Sequence, residues 1–95
     1  MTIERMKSII SNIADQYGIS RVDLFGSRAA GTNRDDSDID LIVEFREPVS
    51  ILSLAMLRDA LMEAWGLDVD IVHGPIRDTD ILEVGKTVEL YAAER

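Results

Sequence analysis

The stretch GSRAAGTNRDDSDID, from Gly26 to Asp40, lies between two apolar segments that each have the composition of a strand. Its beginning, Gly26-Ser27, closes the first strand and leads into a short helix. A glycine allows a ligand to approach the backbone closely, and the free N–H groups at a helix start attract a phosphate. Its end, Asp38-Ile39-Asp40, opens the second strand. The stretch therefore predicts an α/β domain with a phosphate-binding turn and a pair of carboxylates at strand ends.

The two aspartates at the end of this stretch have a spacing that places both carboxylates on one face of a strand. Side chains alternate along a strand, so Asp38 and Asp40 point to one face and Ile39 to the other. Two like charges held this close raise each other's pKa unless a cation compensates them. Oxygen ligands without sulfur or clustered imidazole favour Mg²⁺ or Mn²⁺. The pair therefore predicts a divalent metal site.

A second acidic pair, Asp68 and Asp70, lies in the strand predicted over residues 68–72. A parallel or an antiparallel neighbour would bring one of these carboxylates onto the face of the first pair. Three carboxylates around one or two divalent ions are typical of phosphoryl or nucleotidyl transfer. Ligands of α/β sheets also bind at strand ends, where the Gly-Ser turn is expected. The favoured interpretation is therefore a nucleotidyl-transfer site.

Three other interpretations of the stretch compete with this one. A calcium-binding loop requires a glycine where Leu41 stands, and a Walker phosphate loop requires a lysine and a hydroxyl where Thr32-Asn33 stand. An acidic turn that leads into a solvated edge strand, without any chemistry, is the remaining alternative.

Hydrophobic periodicity and boundary residues predict the other elements. The expected order is helix, strand, short helix, strand, helix, strand and a mixed tail. The ranges are Ile3–Tyr17, 21–25, a few residues after Gly26, Ile39–Phe45, Ile51–Trp65, 68–72 and a short helix over 78–84, whereas 87–91 could be an edge strand or a helix. Helices that separate strands indicate an α/β fold, with a small mixed β-sheet and flanking helices. The length predicts one domain, residues 1–95.

The helix predicted over Ile51–Trp65 is apolar around most of its circumference. Its large apolar residues include Leu52, Leu54, Met56, Leu57, Leu61 and Met62. A helix wedged into a small core is the simpler interpretation. A face that binds a partner is the alternative, because a surface helix normally keeps a polar side.

Composition narrows the function classes further. The 95 residues have a net charge of −8, 46% hydrophobic residues and no cysteine, which is typical of a globular domain without disulfides and fits a cytoplasmic protein. The longest uncharged stretch, residues 48–57, is too short for a membrane span of roughly 20 residues. An acidic domain without a basic stripe is also a poor candidate for direct nucleic-acid binding.

The motif spacing carries a family resemblance. Gly26-Ser27, ten intervening residues, Asp38-x-Asp40 and a later acid flanked by apolar residues, Asp70, resemble the minimal nucleotidyltransferase domain of the DNA polymerase β-like superfamily. The chain is most similar to the MntA-type antitoxins that accompany HEPN-domain toxins. The resemblance extends over nearly the whole chain and implies a polymerase β-like nucleotidyltransferase core.

The resemblance also implies residue roles. Asp38 and Asp40 would bind two metal ions, Mg²⁺ or Mn²⁺, and Asp70 rather than Asp68 would complete the site and help to activate the attacking hydroxyl. Gly26 and Ser27 would hold the phosphates of ATP. Further nucleotide contacts are expected from arginines, although many relatives have a second arginine where this chain has Ala30. Either Arg28, which we assign to nucleotide binding, or Arg34 could replace that contact.

The resemblance finally implies a reaction and a partner. The family transfers AMP from ATP, and the HEPN-linked members are expected to modify a tyrosine of the toxin within a heterocomplex. Two alternatives stay open from the sequence. One is an antitoxin that neutralises the toxin by binding alone, and the other is nucleotidyl transfer to RNA or to a small molecule.

Overall fold

Residues 1–75 and 85–93 are described by the computed structural model and form three helices and four strands. In chain order the elements are α1 (Ile3–Tyr17), β1 (Ile19–Phe25), α2 (Ser27–Ala30), β2 (Ile39–Phe45), α3 (Ile51–Trp65), β3 (Val69–His73) and β4 (Val88–Ala92). The short helix predicted over 78–84 lies outside the described residues.

The two long helices begin at capping residues. The side-chain oxygen of Thr2 accepts a hydrogen bond from the backbone N–H of Arg5 at the start of α1. Ser50 accepts in the same way from the N–H of Ser53 at the start of α3. These bonds satisfy N–H groups that have no partner within the helix, which fixes where each helix starts. Helix α1 ends at Gly18, whose φ of 66° is in the left-handed region.

The four strands form one mixed sheet in the order β3-β2-β1-β4. Strand β1 is antiparallel to both β2 and β4, whereas β2 and β3 are parallel. This confirms the predicted small mixed sheet with helices. The register places Phe25 opposite Asp40 on one side and Asp70 opposite Asp40 on the other.

The hydrophobic core lies between the helices and one face of the sheet. Its buried helix residues include Met6, Ile10, Leu57 and Leu61, and its strand residues include Leu24, Ile39, Leu41 and Val69. Since side chains alternate along β2, burial of Ile39 and Leu41 sends Asp40 to the opposite face. Packing of Ile39 and Leu41 in the core thus determines that Asp40 lies on the opposite face of the sheet.

Two element predictions need correction, and one assignment that the sequence left open can be made. Strand β1 begins at Ile19, two residues earlier than predicted, because Ile19 pairs with Phe45. Strand β3 is Val69–His73, one residue later than predicted at both ends, because its ladder with β2 runs from Val69 to His73. The segment 87–91, left open between strand and helix, falls in a strand apart from its first residue, because β4 (Val88–Ala92) pairs with β1.

Helix α3 is packed against the core along one side and is exposed elsewhere. Leu57, Leu61 and Trp65 are buried. Ile51, Leu52 and Met56 are exposed by 86%, 70% and 54%, and these three residues are called the α3 patch below. The interpretation of α3 as a helix wedged into the core is therefore wrong for the α3 patch and holds for Leu57, Leu61 and Trp65.

In the described ranges, no helix has the length and apolar character needed to cross a membrane.

Candidate active site

The Gly-Ser turn lies directly against the carboxylate of Asp40. Strand β1 ends at Phe25 and α2 begins at Ser27, so Gly26 alone forms the connection, with φ 74° and ψ −156°. A Cβ atom at Gly26 would overlap the Asp40 carboxylate. Only glycine fits here, because the left-handed φ and the missing side chain are both required. The antiparallel Phe25–Asp40 pair explains why the two motifs meet.

Asp40 and Asp70 lie side by side on neighbouring parallel strands. They occupy paired register positions and therefore share one face of the sheet. Asp40 is half-buried and Asp70 is exposed. Burial raises the pKa of the Asp40 carboxyl above its ordinary value, and the charges of Asp70 and Asp38 raise this pKa further. The structure thus brings Asp70, rather than Asp68, beside Asp40.

Asp38 occupies the position just before β2, and its side chain is exposed. Its backbone is held on both sides. The carbonyl oxygen of Ser37 accepts two hydrogen bonds from Arg28, and the N–H of Ile39 donates to the carbonyl of Asp68 at 2.9 Å. Asp68 therefore supports the site through its backbone carbonyl, which holds the residue after Asp38.

The two arginines of the stretch have different surroundings. Arg28 is only 9% exposed, and its guanidinium donates three hydrogen bonds to carbonyl oxygens of the loop before β2. Arg34 is exposed; its N–H donates to the Ser37 hydroxyl and its carbonyl accepts from the Ser37 N–H. A phosphate contact by either arginine stays a prediction, as do the phosphate contacts of Gly26 and Ser27.

Metal binding by Asp38, Asp40 and Asp70 also stays a prediction. Among residues 1–75 and 85–93, no three His, Cys, Asp or Glu side chains are grouped closely enough to hold a metal ion as they stand. The donor chemistry nevertheless fits Mg²⁺, since all three side chains offer carboxylate oxygens. A cation at Asp40 would offset both the burial and the repulsion that raise its pKa. The exposed side chains of Asp38 and Asp70 can rotate without repacking the core.

A cavity of about 560 Å³ lies at the other ends of β1 and β2, and Asp38, Asp40 and Asp70 are not part of its lining. Its lining includes Arg21, Glu44 and Arg46. Arg21 pairs with Glu44 in the register, and the Phe25–Asp40 pair is at the opposite end of the same two strands. The candidate site is therefore a surface site at strand ends.

Two features of the site were missed from the sequence. Phe25 lies opposite Asp40, which follows from the antiparallel register, and Arg28 anchors the loop before Asp38. Antiparallel pairing of the two strands that flank the stretch is the signal that could have identified Phe25. The partners of Arg28 are seven and nine residues away, and no local pattern indicates them.

Comparison with known proteins gives the following matches. The family model described as polymerase beta, nucleotidyltransferase matches residues 7–88, a range that includes every candidate site residue named above. A candidate protein adenylyltransferase of Methanocaldococcus jannaschii is 39% identical over 72 residues, which are 76% of this chain and 77% of that protein. Protein adenylyltransferase MntA of Thermococcus cleftensis is 33% identical over 76 residues, with the same two coverages.

A solved structure has the same fold. It is the complex of tri-AMPylated Shewanella oneidensis HEPN toxin with MNT antitoxin. The superposition has a TM-score of 0.70 at 19% sequence identity and covers 97% of this chain and 74% of the other.

Proposed function

The chain belongs to the polymerase beta nucleotidyltransferase family, and from this premise we propose that it transfers AMP from ATP to a hydroxyl of a partner HEPN toxin. It acts in this proposal as the antitoxin of the pair, and the acceptor is a tyrosine of the toxin. The names of the relatives, protein adenylyltransferase, support the reaction class.

One observation carries the proposal, namely the contact between the Gly26 backbone and the Asp40 carboxylate. It joins a turn suited to phosphate to a carboxylate suited to metal. Asp70 lies beside Asp40 on the adjacent strand. Nucleotidyl transfer requires these two functions at one place, since it depends on positioning and charge neutralisation.

The proposal assigns the residue roles that the family resemblance implies. Asp38, Asp40 and Asp70 would hold Mg²⁺, most simply as two ions, with Mn²⁺ as the alternative. When bound, the metal supplies positive charge that offsets the charge of the phosphates. Gly26 and Ser27 hold the phosphates through the backbone, with Arg34 as a further contact, since the Nε and Nη2 groups of Arg28 are engaged by the loop before β2.

The chemical step exchanges one phosphorus–oxygen bond for another. The acceptor oxygen forms a bond to the α-phosphorus, the bond to the departing pyrophosphate breaks, and the acceptor loses its proton. In this proposal Asp70 receives that proton, and the exposure of its carboxylate beside Asp40 supports this role.

The acceptor binds in trans in this proposal. The described residues form one sheet with helices, and the exposure of Asp38 and Asp70 leaves the acids accessible to a second protein. The HEPN toxin in the structurally similar complex is tri-AMPylated, which supports a toxin as the acceptor.

A second candidate function is an antitoxin that neutralises its toxin by binding alone. The α3 patch favours this function, because three large apolar side chains at the surface of one helix are typical of an interaction site. In this case the acids would not be needed for protection.

The decisive experiment uses ATP labelled at the α-phosphate, Mg²⁺ and the protein encoded beside this gene, which in this proposal is a HEPN toxin. We expect label on that protein with the wild type, none with Asp38→Asn, and unchanged labelling with Asp15→Asn. Asp15 is a matched control, since it is exposed and pairs with Arg46 away from the site. Protection from the toxin that persists with Asp38→Asn would favour binding alone, and label on RNA would overturn protein transfer.

A further inference from the structure

Arg28 is a buried arginine without a carboxylate partner among its hydrogen bonds in the described structure. Its side chain donates from Nε to the Ser37 carbonyl at 3.1 Å, from Nη2 to the same oxygen at 2.9 Å, and from Nη2 to the Asp35 carbonyl at 3.1 Å. A buried charge is costly unless it is hydrogen-bonded, so these neutral carbonyls are what retains the guanidinium in this position.

The carbonyl held twice by Arg28 belongs to the peptide bond that joins Ser37 to Asp38. Two donors on one oxygen restrict the rotation of that peptide plane. On the other side of Asp38, the N–H of Ile39 donates to the Asp68 carbonyl at 2.9 Å. Asp38 is thus fixed through its backbone, although its own side chain is exposed.

We propose that Arg28 is a positioning residue that holds the Ser37–Asp38 peptide plane and thereby keeps Asp38 in place to bind metal. This inference rests on the proposed function of the acids as metal ligands. It gives Arg28 a role distinct from a phosphate contact, because its Nε and Nη2 groups are engaged by the loop.

Arg28 also connects the two motifs of the site. It lies in α2, directly after the Gly26-Ser27 turn, and its donors reach the loop that leads into β2. The guanidinium therefore links the turn to the peptide bond that precedes Asp38. Lysine cannot replace this group, since it has a single nitrogen and no planar fork.

The test compares three variants. Arg28→Lys keeps the charge and loses the fork, whereas Arg28→citrulline keeps the Nε and one terminal nitrogen as donors and loses the charge. Arg46→Lys is the control for an arginine-to-lysine change elsewhere, since Arg46 pairs with Asp15. Binding of Mn²⁺ without nucleotide is measured by electron paramagnetic resonance. Amide hydrogen exchange at residues 37 and 39 is measured in the same samples.

We expect Arg28→Lys to weaken Mn²⁺ binding about tenfold, as for other residues that support metal ligands, and to speed exchange at these amides. Arg28→citrulline and Arg46→Lys should keep wild-type Mn²⁺ affinity. The opposite pattern, with Mn²⁺ affinity retained by lysine and the KM for ATP raised by citrulline, would overturn the proposal in favour of a phosphate contact.

The outcome is separable from that of the proposed function. Should the wild type label no protein while Arg28→Lys still weakens Mn²⁺ binding, the positioning role stands and AMP transfer fails. Should Arg28→Lys not fold, the citrulline variant decides, since loss of its Mn²⁺ affinity would contradict positioning by hydrogen bonds.

Discussion

At Gly26, a single methyl group is expected to disrupt the site. Gly26→Ala places a Cβ at a φ of 74° and against the Asp40 carboxylate, so it adds steric overlap to backbone strain. We predict loss of AMP transfer by at least about a hundredfold, because displacement of a catalytic group by about 1 Å has this cost. Transfer to the toxin and the Tm are the measurements.

Gly18→Ala is the matched control for this change. Gly18 has a φ of 66°, and a Cβ there would meet nothing within 4 Å. It should cost about 1 kcal/mol of stability through the backbone and leave transfer intact. Equal losses of activity in the two variants would contradict a specific role for Gly26.

One further pair of variants distinguishes Asp70, which lies in β3, from Asp68, which precedes it. Asp70→Asn should abolish transfer, because Asp70 pairs with Asp40 in the register. Asp68→Asn should retain most of it, because the backbone carbonyl of Asp68 is what holds the site edge. Both substitutions keep side-chain volume, so steady-state rates of labelled-AMP transfer compare the lost charges directly. Inactivity of Asp68→Asn with an active Asp70→Asn would reverse this assignment.

The sequence motifs are sufficient to identify Asp38, Asp40 and Asp70 as candidate site residues. They do not determine how these residues are arranged in space. Alternation along a strand predicts that Asp40 and the core residue Leu41 face opposite ways, and this follows from local geometry. The choice between Asp68 and Asp70 depends on the register of β3 against β2, and local sequence does not show which residue of β3 pairs with Asp40. The burial of Asp40 depends on distant segments, and the partners of Arg28 depend on the path of the loop before β2, so no local pattern indicates either.

At the scale of elements, we predict that substitutions in the α3 patch change toxin binding, whereas substitutions on the buried side of α3 change stability. Leu52→Glu should weaken the complex with the toxin and leave the Tm nearly unchanged, because Leu52 is 70% exposed. Leu57→Ala, in the same helix but fully buried, should cost about 2–5 kcal/mol of stability. Calorimetric titration with the toxin and thermal unfolding make the comparison. Unchanged toxin affinity of Leu52→Glu would exclude the patch as an interface.

Element boundaries were predictable where local residues set them. Capping by Thr2 and Ser50 and the glycine after Tyr17 mark the ends of the long helices, which match the predicted ranges. Strand limits differ because ladder partners determine them. Strand β1 extends to Ile19 through its pairing with β2, and β4 exists as a strand through its pairing with β1.

At the scale of the whole molecule, Asp40 makes stability depend on pH and metal. Its pKa is raised in the folded state above the ordinary value of 3.8, so the folded protein retains this proton to higher pH than the unfolded chain. Stability without metal therefore falls as pH rises from about 3.8 through the raised pKa.

The corresponding prediction is that Asp40→Asn raises the Tm of the metal-free protein at pH 7 and loses activity. Each 1 kcal/mol would move the Tm of a domain of this size by about 4–8 °C. The difference should shrink at pH values below 3.8, where the wild-type carboxyl is protonated in both states. Mg²⁺ should raise the Tm of the wild type alone. A wild type that is the more stable protein at pH 7 without metal would contradict this account.

The exposure of Asp38 and Asp70 has a consequence for timing. Water reaches these carboxylates until another molecule covers them, and a site open to water does not by itself reserve ATP for the intended acceptor. Under the proposed function, the docked toxin would exclude this water from the acids. In that arrangement the acceptor protein itself closes the site in which it is modified. ATP would be consumed only when both ATP and the acceptor are bound. The protein would then react only when ATP and the toxin are bound at the same time.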